Sequence, residues 1–324
     1  MNQAGPGADL KAMLARGDDY AARGDVRAAV SFYQSALGSV RDPRLVDPQT
    51  LSQLQRAQAF VIERAREFQA TLEQAVEQAS PADPAAAIRL SHSLAMLKGE
   101  RRIYHQSPSV FHYPYLAQRQ FFERDEFDWV EDLEAATPAI REELLALLEE
   151  GVDFRPYVEN DPNRPHRDFH GLNENKSWTA LYLWRDSQIV EENARRCPET
   201  MAALDKVPLS AIGKRTPAVL FSRLEPGAHI PPHAGMLNCR LICHLPLVVP
   251  EGCWLRVGNE TRQWEEGKLL IFDDSMEHEA KNPADKLRVI LLFDIWRPEI
   301  GEEERSAISA IFEAIDRFQG VPEG

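Results

Sequence analysis

No apolar run in this sequence is long enough to cross a bilayer. A helical span needs about 18 consecutive apolar residues, and the longest such stretch, around Val289 to Trp296, is broken by Asp294. The start, Met1-Asn2-Gln3-Ala4-Gly5-Pro6, lacks both a basic n-region and an apolar h-region, so no targeting segment and a cytoplasmic location are expected. On that expectation the two sequons, Asn175-Lys176-Ser177 and Asn259-Glu260-Thr261, are accidental. Positive charge is also short: 37 Lys and Arg against 51 Asp and Glu leave a net charge of −14. Nucleic-acid binding needs clustered cations, and this balance argues against it while still allowing a local basic pocket for an acidic small molecule. Cysteine is scarce. Cys239 and Cys243 share one face of an expected strand, but no second Cys or His pair at zinc-finger spacing follows. Buried, reduced thiols are the expectation for these two and for Cys197 and Cys253.

What is present describes a folded chain. Hydrophobic content of 44% and charged content of 27% are ordinary for globular proteins, and 324 residues allow one large domain or two medium ones. Residues 1–105 read as helical, rich in Ala, Glu, Gln and Arg. Within them Gly17, Tyr20, Gly24, Ala29, Tyr33 and Ala36 fall at the spacings by which a tetratricopeptide helix pair packs. One such unit is clear, and two readings stay open: a plain helical layer, or a module that binds a partner. Helices are expected over about 49–79 and 84–97, the second stopped by Gly99.

Residues 106–324 have another texture. Ser107-Pro108-Ser109-Val110-Phe111-His112-Tyr113-Pro114 is extended, and 137–150 is an amphipathic helix with Pro138 in its first turn. A loop dense in Asn, Pro and Asp covers 160–176. Beyond it, short apolar segments predict strands at 180–184, 218–224, 239–249, 253–257, 268–272 and 288–296, punctuated by Glu225-Pro226-Gly227 and Pro250-Glu251-Gly252. Many short strands at this spacing predict an α+β chain: an antiparallel double-stranded β-helix, or jelly roll, following an N-terminal helical, tetratricopeptide-like region. A helix over 302–318 closes it.

The histidines carry the chemistry. His233 follows Pro231-Pro232, His244 lies inside an expected strand, and His278 falls in the loop after Phe272-Asp273-Asp274. Arg288 opens the last strand ten residues later. A redox-active iron that binds a bidentate cosubstrate together with oxygen needs open coordination positions, which a few imidazoles on one side leave free. A dicarboxylate cosubstrate also needs a cation at its far end, and Arg matches a carboxylate two-pronged. Strand alternation puts His244 on one face with Ile242 and Arg240, Arg288 with Ile290 and Leu292, and Ser222 with Leu220 and Leu224. A buried Ser222 among apolar neighbours needs a polar partner, such as a ligand carboxylate. His166-Arg167-Asp168 offers the spacing of an ordinary facial triad, but in a polar loop after Pro165, and His166 with His170 would chelate only if helical. Asp273 and Asp274 either orient a ligand imidazole or shape a turn. His229 is a mouth residue without a role.

The ordered run His233-Ala-Gly-Met-Leu-Asn-Cys-Arg-Leu-Ile-Cys-His244, then Gly252-Cys253, Asn259-Glu260-Thr261 and Trp264 through Phe272-Asp273-Asp274-Ser275-Met276-Glu277-His278, resembles the aspartyl/asparaginyl β-hydroxylase family. The likeness covers about 107–298. It implies iron(II) held by His233 and His278, with 2-oxoglutarate and O2 as cosubstrates. The 2-oxoglutarate contacts it implies are Ser222, His244, Arg288 and Trp178. It also implies that no carboxylate follows the first metal histidine, and Gly235 stands there. Where vertebrate members carry a second arginine on the His244 strand, this chain has Ile242. Those members also place tetratricopeptide helices before the catalytic domain, which favours the β-carbon of Asp or Asn in a peptide or protein as substrate. An oxygenase acting on a lipid or free amino acid is one alternative, since relatives include a lipid A hydroxylase. A non-catalytic jelly roll on a helical adaptor is another.

Overall fold

The computed structural model describes residues 6–79, 81–160, 163, 165 and 168–318. Two compact units emerge, Met1–Ile103 and Tyr104–Gly324.

The first unit contains helices α1 (Pro6–Ala22), α2 (Val26–Ser39), α3 (Pro48–Ala79) and α4 (Pro84–Leu97). Asp25 caps α2 by accepting the Ala28 N–H at 3.0 Å. The buried residues of α2 are Ala29, Tyr33 and Ala36, one stripe at helical spacing, and they meet Leu10 and Leu14 of α1 and Leu54 and Ala57 of α3. At Gly17, α1 lies directly against Tyr33 of α2. A Cβ there would lie 2.4 Å from Cε1 of Tyr33. That ring cannot swing away easily, because its hydroxyl donates to Asp18 at 2.7 Å and Phe60 packs edge-on at 5.4 Å. Gly17→Ala should gain up to about 1 kcal/mol in helix propensity and lose about 1–3 kcal/mol to overpacking. A lower helical melting temperature by circular dichroism is the expected outcome.

The second unit carries β1 (Phe121–Phe122), β2 (Arg155–Pro156), β3 (Trp178–Arg185), β4 (Gln188–Ile189), β5 (Val219–Leu224), β6 (His229–His233), β7 (Arg240–Val248), β8 (Trp254–Val257), β9 (Glu260–Gln263), β10 (Leu270–Phe272), β11 (His278–Lys281) and β12 (Arg288–Trp296). Its helices include α5 (Val130–Ala135), α6 (Thr137–Glu149) and, at its end, a longer helix over Glu302–Phe318. The larger sheet runs β1-β10-β7-β12-β5-β3-β2 with β4 on β3; the smaller runs β6-β11-β8-β9. Among the described residues the strand ladders are antiparallel, for example Leu292 opposite both His244 and Leu220. This is the double-stranded β-helix expected from the strand pattern.

Alternation divides each central strand between two environments. Leu241, Cys243, Leu245 and Leu247 of β7, with Leu291 and Phe293 of β12, pack beneath α5 and α6 through Leu133, Ile140 and Leu144. The opposite residues, Arg240, Ile242 and His244 of β7 and Arg288, Ile290 and Leu292 of β12, face a cavity between the sheets. Gly227 and Gly252 close the two expected turns with φ of +73° and +86°, values that L side chains rarely adopt. All four cysteines are buried and unpaired.

The structure corrects one placement. His278 does not sit in a loop but opens β11, directly opposite His233 at the end of β6. The sequence hides β6 because Pro231 and Pro232 oppose a strand, yet β6 is a sheet edge, where a missing N–H costs least.

Candidate active site

A cavity of about 460 Å³ opens between the sheets, and His233, His278, His244, Arg288, Ser222 and Trp178 all line it. The topology therefore gathers into one place all six side chains singled out from the sequence.

The two facing imidazoles have centroids 4.1 Å apart. Each ring is oriented by a backbone carbonyl two residues earlier: Nδ1 of His233 meets the Pro231 oxygen at 2.8 Å, and Nδ1 of His278 meets the Met276 oxygen at 3.0 Å. A carbonyl can only accept, so each Nδ1 carries the proton and each Nε2 keeps a bare lone pair. Burial pushes both groups down to about 4, helped at His233 by the neighbouring His278, so both stay neutral near pH 7. Two neutral imidazoles with free Nε2 atoms fit a divalent transition metal. Among the described residues no cluster of three or more His, Cys, Asp or Glu could hold a metal ion.

The side-chain carboxylates of Asp273 and Asp274 pair with arginines, not with these rings. Asp273 pairs with Arg297 at 2.7 Å, and Asp274 pairs with Arg240 at 3.1 Å. Asp274 instead fills the space beside Gly235: a Cβ there would lie 2.0 Å from its Oδ2. Gly235→Asp, which would restore the carboxylate of an ordinary facial triad, should therefore crowd one buried acid against another. We expect at least about 2 kcal/mol of lost stability and weaker cobalt(II) binding by absorbance titration. Tighter metal binding would contradict this geometry.

At the other end of the cavity Arg288 is 1% exposed. It donates from Nη1 to the Ser222 carbonyl at 3.1 Å, its Nε has no partner, and no carboxylate pairs with it among the described residues. Burial pushes its guanidinium down to about 9, still protonated at neutral pH. An uncompensated buried cation facing a cavity is suited to an anionic ligand. Two neighbours share that end. The Ser222 hydroxyl accepts from Nε1 of Trp178 at 3.1 Å, and its own proton is given to no acceptor among the described residues. Trp178 is braced by Tyr157, stacked at 3.9 Å. His244 receives Nε1 of Trp264 on its Nδ1 at 3.3 Å, and burial holds it well below its ordinary value. In the sequence Trp264 stands within the run that carries the family resemblance, without a role of its own.

Arg240, also cavity-facing, is engaged by two acids, Asp274 and Asp294, the latter 3.6 Å from its Nε. Ile242 adds no charge. His229 is paired with Glu279 at 2.8 Å. Of the rival triad, His166 lies outside the described residues, and Asp168 accepts the Gly171 N–H at 2.9 Å in a turn. His170 has φ of +53° and is not helical, as that chelate would require.

Fold and cavity together define a jelly-roll protein with two facing histidines and a buried arginine in one cavity. The sequence model of the family described as aspartyl/asparaginyl beta-hydroxylase matches residues 134–298, and the chain belongs to that family. It is 39% identical over 184 residues to the human aspartyl/asparaginyl beta-hydroxylase, covering 56% of this chain and 23% of that protein. It is 35% identical over 189 residues to the ornithine lipid ester-linked acyl 2-hydroxylase of Rhizobium tropici, covering 57% and 63%. The matched part thus spans less than two thirds of either relative. Among solved structures, a Pseudomonas putida prolyl-4-hydroxylase aligns over 50% of this chain and 88% of its own, at 15% identity and a TM-score of 0.29.

Proposed function

We propose that the chain is an iron(II)- and 2-oxoglutarate-dependent oxygenase that hydroxylates an unactivated carbon, the β-carbon of Asp or Asn in a peptide or protein. The observation that carries this reading is the pairing, in one cavity, of two bare imidazole nitrogens with a buried guanidinium that has no carboxylate partner among the described residues. One end fits a divalent metal; the other fits the distal carboxylate of a keto diacid.

His233 and His278 would hold the iron, and their Nδ1–H bonds to Pro231 and Met276 keep the Nε2 lone pairs aimed into the cavity. Iron(II) with 2-oxoglutarate supplies oxygen activation, one atom of O2 ending in succinate as CO2 is lost and the other in the product alcohol. Arg288 and the Ser222 hydroxyl bind the distal carboxylate, and Trp178 keeps that hydroxyl free to donate. His244, neutral, donates a hydrogen bond without adding charge. Tyr157, Phe169 and Met236 also line the cavity, and Phe169 packs edge-on to His233 at 5.2 Å.

A second reading, hydroxylation of an acyl chain, is favoured by Ile242 in place of an arginine and by the rhizobial relative's name. Succinate release from 2-oxoglutarate by purified protein with iron(II) and ascorbate under air tests the shared chemistry, because slow turnover without substrate is expected. No succinate and no 2-oxoglutarate binding would overturn it. Asp- and Asn-containing peptides beside an ornithine lipid would then separate the substrates.

A further inference from the structure

Trp264 follows β9 and is buried, its backbone N–H reaching the Cys253 carbonyl at 3.4 Å. It does not line the cavity, yet its indole meets two side chains that do. Its Nε1 lies 3.3 Å from Nδ1 of His244, and the Arg288 guanidinium carbon stands 4.6 Å over its ring centroid. An indole N–H can only donate, so Nδ1 of His244 must present a lone pair, and the neutral ring then carries its proton on Nε2. Phe272, edge-on at 4.9 Å, fixes the plane of that imidazole from another side.

We propose that Trp264 is a positioning residue of the cosubstrate subsite: its N–H locks His244 in the Nε2–H tautomer, and its ring face seats Arg288. The proposal rests on the reading of the cavity as a 2-oxoglutarate site. There the tautomer matters, because Nε2–H offers a carboxylate a donor whereas the other tautomer would offer it a lone pair. Arg288 needs the ring for a related reason. Without a carboxylate of its own among the described residues, it has the indole face and the Ser222 carbonyl to hold its charge in place until an anion arrives. One side chain thus prepares both donors before the ligand binds.

Trp264→Phe separates the two roles, keeping an aromatic face under Arg288 while deleting the N–H. Long-range 1H–15N NMR of histidine-labelled protein, free of metal and cosubstrate, reads the His244 tautomer directly. The parent is expected to show protonated Nε2 and bare Nδ1. In Trp264→Phe the two tautomers should mix, 2-oxoglutarate should bind about tenfold more weakly, and KM for it should rise alike. Cobalt(II) affinity and the rate at saturating 2-oxoglutarate should stay within about twofold. A merely structural tryptophan would not divide the effects in this way. Protonated Nδ1 in the parent overturns the proposal even if the variant does not fold. So does a variant that keeps both tautomer and affinity. Failure of the parent to bind 2-oxoglutarate would instead overturn the reading of the cavity, and with it any role of Trp264 toward that ligand.

Discussion

His278→Ala is expected to abolish succinate release from 2-oxoglutarate, by more than about a hundredfold, while the protein stays folded. Loss of a residue that only orients a metal ligand costs about 10–100-fold in metal affinity. Here one of two imidazoles disappears, and no third His, Cys, Asp or Glu among the described residues stands ready to replace it. The fold should tolerate the change: His278 opens a short strand, its backbone pairs with β6 and β8 remain, and its ring donates to the Met276 carbonyl. The comparison is therefore clean. Cobalt(II) titration should show binding by the parent and little by the variant, with melting temperatures within a few degrees. Turnover that persists in His278→Ala would remove the paired histidines from the mechanism.

Much of this site could be read in the sequence, for a specific reason. β7 and β12 are long central strands whose side chains alternate over Arg240–Pro246 and Arg288–Phe293. Once one cavity-facing residue was assigned on each, Arg240, Ile242 and His244 followed on one and Arg288, Ile290 and Leu292 on the other. Ser222 came the same way, as the polar exception on a face shared with Leu220 and Leu224. What could not be read depends on contacts across sheets. β11 reads as His-Glu-Ala-Lys, without an apolar face, and is a strand because β6 and β8 flank it. Trp264 is displaced from His244 by 20 residues and from Arg288 by 24, and neither spacing carries a pattern. The meeting of Asp274 with the empty side of Gly235 is likewise set by the approach of two loops, sealed by the Gly235 N–H on the Asp274 carbonyl at 2.7 Å. Local chemistry could suggest that Asp273-Asp274 orient the imidazoles; the backbone carbonyls do that, and the acids have other partners.

Those other partners lead to the largest expected effect on stability. Arg297 and Asp273 are both fully buried, joined at 2.7 Å. Arg297 also donates to the Ala117 carbonyl at 2.8 Å and to Glu299 at 2.9 Å, while Asp273 accepts from Gln106 at 2.6 Å and from the Ser275 N–H at 3.0 Å. Arg297→Met keeps the volume and deletes the charge, leaving the Asp273 carboxylate without its cation. Breaking one side of a buried pair costs about 3–5 kcal/mol, which for a unit of this size lowers the melting temperature by roughly 10 °C. The sign of the pH dependence follows from Asp273, whose carboxyl burial already raises above its ordinary value. Without Arg297 it should rise further, so the folded variant binds a proton that the unfolded chain releases above about pH 4. Stability is then retained in acid and lost as pH climbs through the raised value, making the deficit larger at pH 8 than at pH 5. The same turn carries the Met276 carbonyl that orients His278. Arg297→Met should therefore also weaken cobalt(II) binding at temperatures where it is fully folded. A variant that melts lower but binds metal like the parent would confine this clamp to holding the fold.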